Sequence, residues 1–255
     1  MRSGLCTITN LAVSDPQWIE ASLPVNAGGL WIRRVVSLAL PAFLASTAST
    51  HSLQSLLLLN CHCRLTIVSN GERPMRTWTT IYNTNTPDSS SDTKQSVWDR
   101  PGIMAGKAVM SAFTDKFNRA RLLAASAPHS GDWLHALPLS TCGLRLENEA
   151  VRVAVGLRLG TSLCEPHQCA CGKQVDARGT HGLLCKRGVG RSIRHHQLND
   201  IIHRALTRAS TPSVLEPPGL SRTDGKRPDG LTLIPWQRGK SLTRDVTVTD
   251  TVADS

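Results

Sequence analysis

Cys164-Glu-Pro-His-Gln-Cys169-Ala-Cys171-Gly172, continued by His181-Gly-Leu-Leu-Cys185, is the stretch from which the rest of the chain is read. Its ligand-type residues are spaced Cys164-(x)4-Cys169-x-Cys171-(x)9-His181-(x)3-Cys185. Zinc takes four Cys or His ligands at about 2.0–2.3 Å. His181 and Cys185 stand one helical turn apart and so share a face, and Cys171-Gly172 places a ligand beside a tight turn. Five candidates compete for four places, so either Cys164 or Cys169 completes a set with Cys171, His181 and Cys185. No His-x-Glu pair accompanies them, and a structural Zn²⁺ is expected in a knuckle over 161–190.

Downstream the chain turns basic. Between Lys186 and Arg244 lie twelve Lys or Arg against four Asp or Glu, on a chain of net charge +10. That excess favours a polyanionic partner. Arg191, Arg194, Arg204, Arg208, Lys226 and Arg227 are the candidate phosphate contacts. A helix around Ile193–Leu206 is expected to bury Leu198, Ile201, Ile202 and Ala205. Beyond it, Gly230–Trp236 and Leu242–Val248 read as strands joined by the turn Gln237-Arg238-Gly239-Lys240. Asp229 and Asp245 then face each other across the hairpin, and Glu216 enters from the preceding segment. Oxygen ligands of this kind suit Mg²⁺, which activates water and neutralises charge in phosphodiester hydrolysis.

Earlier in the chain the signals are structural. Asp15-Pro16 marks a helix start, and Gly28-Gly29 a break. The apolar run Val35–Ala45 reads as a buried helix, too short for a span of about 20 residues and interrupted by Pro41. Leu53, Leu56, Leu57 and Leu58 are expected to bury one helical face. Residues 1–82 form a helical connector and 83–104 a linker, whose polar run is Asn83–Asp92. Residues 105–160 form a helical segment. In it Val109, Phe113, Phe117 and Ala120 share one helix, and Leu146, Ala150, Val153, Ala154 and Leu157 one face of a second, stopped by Gly160.

The order of motifs in 164–255 resembles the C-terminal region of non-LTR retrotransposon proteins. There a Cys/His knuckle precedes Arg-His-Asn, Glu-Pro, Lys/Arg-Pro-Asp and a strand bearing a further Asp. The matching residues here are the knuckle, Arg194-His195, Glu216-Pro217, Arg227-Pro228-Asp229 and Asp245. The resemblance implies a restriction-like endonuclease core over 191–255, with Glu216, Asp229, Asp245 and His195 catalytic, Mg²⁺ as cofactor, and DNA and the element RNA as partners. Residues 1–160 resemble the segment that links the reverse transcriptase to this nuclease, in Ala21-Ser-Leu-Pro-Val and Leu122–Trp133. His196 stands where the family has Asn, and Thr247 where its lysine would sit. No Tyr-x-Asp-Asp motif is present, so the polymerase core is expected to be absent; related nucleases continue with a further helix beyond the position of Ser255, so the nuclease core is expected to be truncated.

Fold class follows as α+β: a helical connector, a zinc knuckle and a small α/β core. Aromatic residues make up only 4%, which argues against a base-stacking platform. Eight cysteines in a chain of this length, four of them clustered beside a histidine, point to metal in a reducing compartment, nuclear or cytoplasmic, rather than to a disulfide scaffold. Cys6, Cys61, Cys63 and Cys142 read as ordinary thiols. No membrane role is expected.

Overall fold

The computed structural model describes residues 1–57, 64–87, 94–112, 115–185, 187–221 and 225–248. Along them run α1 (Arg2–Thr9), α2 (Asp15–Ser22), α3 (Val35–Leu57), α4 (Arg64–Tyr82), α5 (Gln95–Ser111), α6 (Lys116–Ala125) and α7 (Asn148–Leu159). A second set follows: β1 (His167–Gln168), β2 (Gln174–Val175), α8 (Thr180–Leu184), α9 (Val189–Arg208), β3 (Ser213–Leu215), β4 (Gly230–Thr232) and β5 (Thr243–Arg244). The protein is α+β, with two small antiparallel sheets, β1-β2 and β3-β4-β5. It divides into two units, Met1–Leu163 and Cys164–Ser255.

The first unit is helical because its sequence supplies caps and apolar faces in register. Ser14 and Gln17 form a capping box at the start of α2, and Pro16 sits in its first turn, where its missing N–H costs nothing. One cluster buries Leu11, Val13, Ala21, Val155 and Leu159; a second buries Leu44, Ala45, Trp78 and Trp98; a third Leu23, Ala27 and Met110. Trp78 also donates its indole N–H to the Trp98 carbonyl at 3.2 Å.

Several expectations are corrected here. Val109 and Phe117 lie on different helices, because Asp115 caps α6 by accepting from the amides of Phe117 and Asn118 at 3.2 and 3.3 Å. A carboxylate in that position satisfies orphan donors and restarts the helix; Phe113 lies outside the described residues. Helix α5 begins inside the expected linker, since burial of Trp98 against Trp78 recruits that segment into the core. Residues 88–93 of that linker lie outside the described residues. Helices from both sides of it pack together, α5 on α2 and α3, and α7 on α1 and α2.

On α3 the packed face is Leu40, Leu44, Ala45 and Ala48. Val35, Val36, Leu53 and Leu56 are exposed, so only the middle of the expected apolar helix is buried; Leu58 and the side chain of Leu57 lie outside the described residues. No helix among the described residues is long and apolar enough to cross a membrane. Helix α7 buries Val155, Arg158 and Leu159 rather than the face through Leu146, which is exposed. Gly160 ends the helix at φ 64°, as its sequence position suggested.

Arg158 is buried because α7 carries one end of an ion cluster that the sequence did not reveal. Arg121 grips Glu20 through Nη1 at 2.5 Å and Nη2 at 2.9 Å, and also donates to the Arg158 carbonyl. Arg158 donates to the Gly29 and Val25 carbonyls at 3.0 and 2.7 Å. Burial raises the Glu20 carboxyl above its usual range, against the opposing pull of Arg121 and Arg158. Removing one member would strand a buried charge, at about 3–5 kcal/mol.

Candidate metal centre and nucleic-acid interface

The second unit begins with a hairpin. β1 and β2 pair at His167↔Val175 and Gln168↔Gln174. Between them the chain turns on itself: the Cys169 amide donates to the Lys173 carbonyl at 2.9 Å and the Gly172 amide to Cys169 at 2.8 Å. This turn holds Cys169 and Cys171, and α8 brings His181 and, just past the helix end, Cys185 to meet them. The ligand atoms of Cys169, Cys171, His181 and Cys185 all lie within 4.8 Å of one another.

The distances fit a tetrahedral ion. Zn–S bonds of about 2.3 Å place two sulfurs about 3.8 Å apart, and Cys169 Sγ and Cys185 Sγ are 3.7 Å apart. A disulfide would need about 2.05 Å. Cys171 Sγ lies 3.1 Å from His181 Nε2. The Lys173 amide, acting against burial and aided by Cys169, His181 and Cys185, brings the Cys171 thiol down to about 6. Burial pushes the Cys185 thiol up, and the neighbouring Cys171 and Cys169 add to this. A cation would relieve that crowding of thiolates.

The group can hold a metal and is compatible with zinc. Cys169, not Cys164, completes it. Cys164 turns instead to the carbonyls of Asp176 and Ala177, at 3.4 and 3.7 Å, and His167 to Glu165 O.

In the three-stranded sheet β3 pairs β4 at Ser213↔Thr232, Val214↔Leu231 and Leu215↔Gly230, and β4 pairs β5 at Gly230↔Arg244 and Leu231↔Thr243. One further step in the same register sets Glu216, Asp229 and Asp245 in a single row across the sheet. The Glu216 amide donates to Asp229 O at 3.1 Å, and the Asp229 amide to Asp245 Oδ1 at 3.3 Å. Glu216 adopts φ 44°, a left-handed conformation that costs a non-glycine residue about 1–3 kcal/mol. The strands are shorter than expected, but the turn between them is as read: Arg238 and Gly239 have φ 51° and 74°. Two positive φ angles are what a two-residue type I′ hairpin requires.

Helix α9 lies against β3 with a polar face. His195 Nε2 is 3.1 Å from Asp229 Oδ2, and His203 Nδ1 is 2.8 Å from Ser213 Oγ. Arg244 donates to Asn199 Oδ1 at 2.8 Å, and Asn199 is buried. Gly230 lies beneath that guanidinium; a Cβ there would stand 2.4 Å from Arg244 Nε, so a larger residue would displace the arginine. Asp229 Oδ2 also accepts from the Val246 amide at 2.6 Å. Burial alone would raise the Asp229 carboxyl; the Val246 amide, His195 and Asn199 outweigh it and hold it below the usual carboxylate range.

Consequently the expected apolar face of α9 is inverted. Leu198, Ile201, Ile202 and Ala205 are exposed, because the sheet offers α9 carboxylate, hydroxyl and guanidinium partners that His195, Asn199 and His203 can satisfy. Asn199 stands one helical turn after His195, and its role with Arg244 carries no sequence motif.

The basic residues separate by partner. Arg194 is turned inward, donating to the carbonyls of Leu183 and Gly190 at 2.8 and 3.2 Å, so it joins α8 to α9. Arg204 pairs with Asp200 at 2.9 Å on the surface. Arg208, Lys226 and Arg227 are exposed, and the side chain of Arg191 lies outside the described residues. Among the described residues the cysteine–histidine group is the one set of three or more His, Cys, Asp or Glu gathered to ligand distance. The carboxylates of Glu216, Asp229 and Asp245 share a row without forming a second. Comparison of the chain with protein-family models, with curated proteins and with solved structures finds no match.

Proposed function

We propose that Cys164–Ser255 is a zinc-stabilised, nucleic-acid-binding unit of restriction-like endonuclease type, of the kind found at the C-terminal end of non-LTR retrotransposon proteins. It acts on DNA in the nucleus or cytoplasm. The observation that carries the reading is the row Glu216–Asp229–Asp245 with His195 on Asp229. Motifs that lie 29 residues apart in the sequence meet there, and the strained Glu216 backbone sits in the same row.

Zn²⁺ held by Cys169, Cys171, His181 and Cys185 fixes the knuckle and, through α8, the start of α9. The row supplies only oxygen donors, which suits Mg²⁺ in kind. Bound there, Mg²⁺ would supply water activation and neutralise charge at the scissile phosphate. His195 orients Asp229 through Oδ2. Asn199 steadies Arg244, beside Asp245 in the chain. Arg204, Arg208, Lys226 and Arg227 meet the phosphate backbone, so binding weakens steeply as salt rises.

A second reading, a zinc-dependent DNA- or RNA-binding remnant without catalysis, is favoured by Thr247 in the lysine position and by the ungathered carboxylates. Nicking of supercoiled plasmid decides between them. Mg²⁺-dependent nicking that disappears in Asp229→Ala, with zinc content unchanged, upholds the endonuclease. Salt-sensitive binding without nicking leaves the binding module.

A further inference from the structure

Trp31 is an anomaly of the first unit. It is 46% exposed yet held at φ 59°, a conformation that a bulky residue adopts only under constraint. The constraint is visible. Its amide donates to Leu23 O at 2.9 Å, and the amides on either side, of Leu30 and Ile32, both donate to Ala21 O at 3.1 Å. Burial does not repay the strain, because nearly half of the residue's surface stays in solvent. Strain that a fold maintains without a packing return marks a functional position.

The surroundings say which function. The Arg33 guanidinium lies 4.9 Å from the centroid of the indole and is itself anchored by buried Asp99 at 2.5 Å. One ring face is therefore backed by a fixed cation, an arrangement that strengthens with desolvation. Two grooves meet at this ring. One, of about 300 Å³, is lined by Arg33, Arg34, Ser37, Tyr82 and Asp99. The other, of about 460 Å³, is lined by Asn26, Ser126, His129, Ser130, Asp132 and His135. Both carry hydrogen-bonding side chains, and the tryptophan is the ridge between them.

We propose that Trp31 is a base-stacking contact for single-stranded nucleic acid, with the strand crossing the ridge from one groove to the other. A base has a π-face for the open indole surface, its edges find Asn26, Ser37 and Tyr82, and Arg34 meets a phosphate. An acidic peptide would satisfy the arginine but leave the ring unused. Composition argues against a stacking platform of several aromatics, and one ridge needs only one. This site lies in Met1–Leu163 and goes beyond the endonuclease reading of the other unit, so the absence of nicking would leave it untouched.

The test uses the full-length zinc-loaded chain with labelled oligouridine, oligodeoxythymidine, duplex DNA and polyglutamate. Alanine replacement of one stacking aromatic weakens single-strand binding by roughly five- to 150-fold. Trp31→Ala is expected to lose about tenfold on oligouridine on that scale, Trp31→Phe to retain most of the affinity, and duplex DNA binding to be unchanged in both. Far-ultraviolet circular dichroism confirms folding, and Arg34→Ala, which leaves the ring in place, provides a second variant with weakened oligouridine binding. Equal loss on oligodeoxythymidine assigns the site to single strands generally, loss on oligouridine alone to RNA, and both uphold the proposal. Trp31→Ala with wild-type affinity for both oligonucleotides overturns it, as does a loss confined to polyglutamate.

Discussion

The two units are held together by different physics. Met1–Leu163 closes over three apolar clusters, with Trp78, Trp98, Leu44 and Leu159 almost fully buried, and the Glu20–Arg121–Arg158 cluster is sealed inside. In Cys164–Ser255, apart from Pro217 and Pro228, the buried apolar side chains among the described residues are Val175 and Cys185. What it has instead is a Cys3His group and a set of side-chain hydrogen bonds between α9 and the sheet. A small unit with so little apolar burial cannot offset its conformational entropy by the hydrophobic effect alone. In the second unit, the residues proposed for chemistry are also among those that hold the fold.

Metal removal should split the units most sharply. Structural zinc contributes roughly 10–16 kcal/mol to folding in zinc-finger peptides. Chelation of the full-length protein should therefore unfold the second unit while the first keeps its tryptophan environment. Amide exchange resolved by peptide reads this directly: loss of protection over 164–248 with protection retained in α2, α3 and α5. Protection lost equally in both units would dissolve the distinction.

Next in size is the reverse experiment. Glu20→Gln leaves Arg121 and Arg158 without their buried counter-charge and should cost the first unit about 3–5 kcal/mol, with zinc content unchanged. Chemical denaturation followed by tryptophan fluorescence measures it; a cost under 1 kcal/mol would mean that water reaches the cluster.

Asn199→Ala probes the polar joint of the second unit. Loss of a hydrogen bond to a charged group costs about 1.5–3 kcal/mol, and here it also frees Arg244. The unit should melt earlier at saturating zinc. The smallest effect expected is for Asp115→Ala at the start of α6, about 1 kcal/mol from a lost helix cap and confined to the first unit, visible as a small shift in the denaturation midpoint.

What the sequence disclosed follows the same division. Spacing reveals Cys171, His181 and Cys185 because metal ligands on one turn and one helix are local; the choice between Cys164 and Cys169 waited on the direction of the Cys164 side chain. Glu216, Asp229 and Asp245 were visible as motifs, but their common row depends on β3, whose Ser213-Val-Leu run is too short to stand out. The face of α9 was misread because apolar periodicity assumes an apolar neighbour, whereas this sheet offers Asp229, Ser213 and Arg244. Glu20 and Arg121, 101 positions apart, carry no local signal at all. The break at Asp115 is masked in the sequence by the helical spacing of Val109, Phe113 and Phe117 across it.

The claim that the carboxylate row is a cation site is tested most directly by the thermal midpoint of the zinc-loaded protein as Mg²⁺ is titrated. A ligand that binds only the folded state stabilises it by RT ln(1 + [L]/Kd), about 2.7 kcal/mol at a hundredfold excess over Kd. A saturable rise in the second unit's midpoint is expected, absent in Asp229→Asn and in Asp245→Asn, with zinc content the same in all three proteins. An equal rise in the wild type and both variants, or none in the wild type, would contradict it.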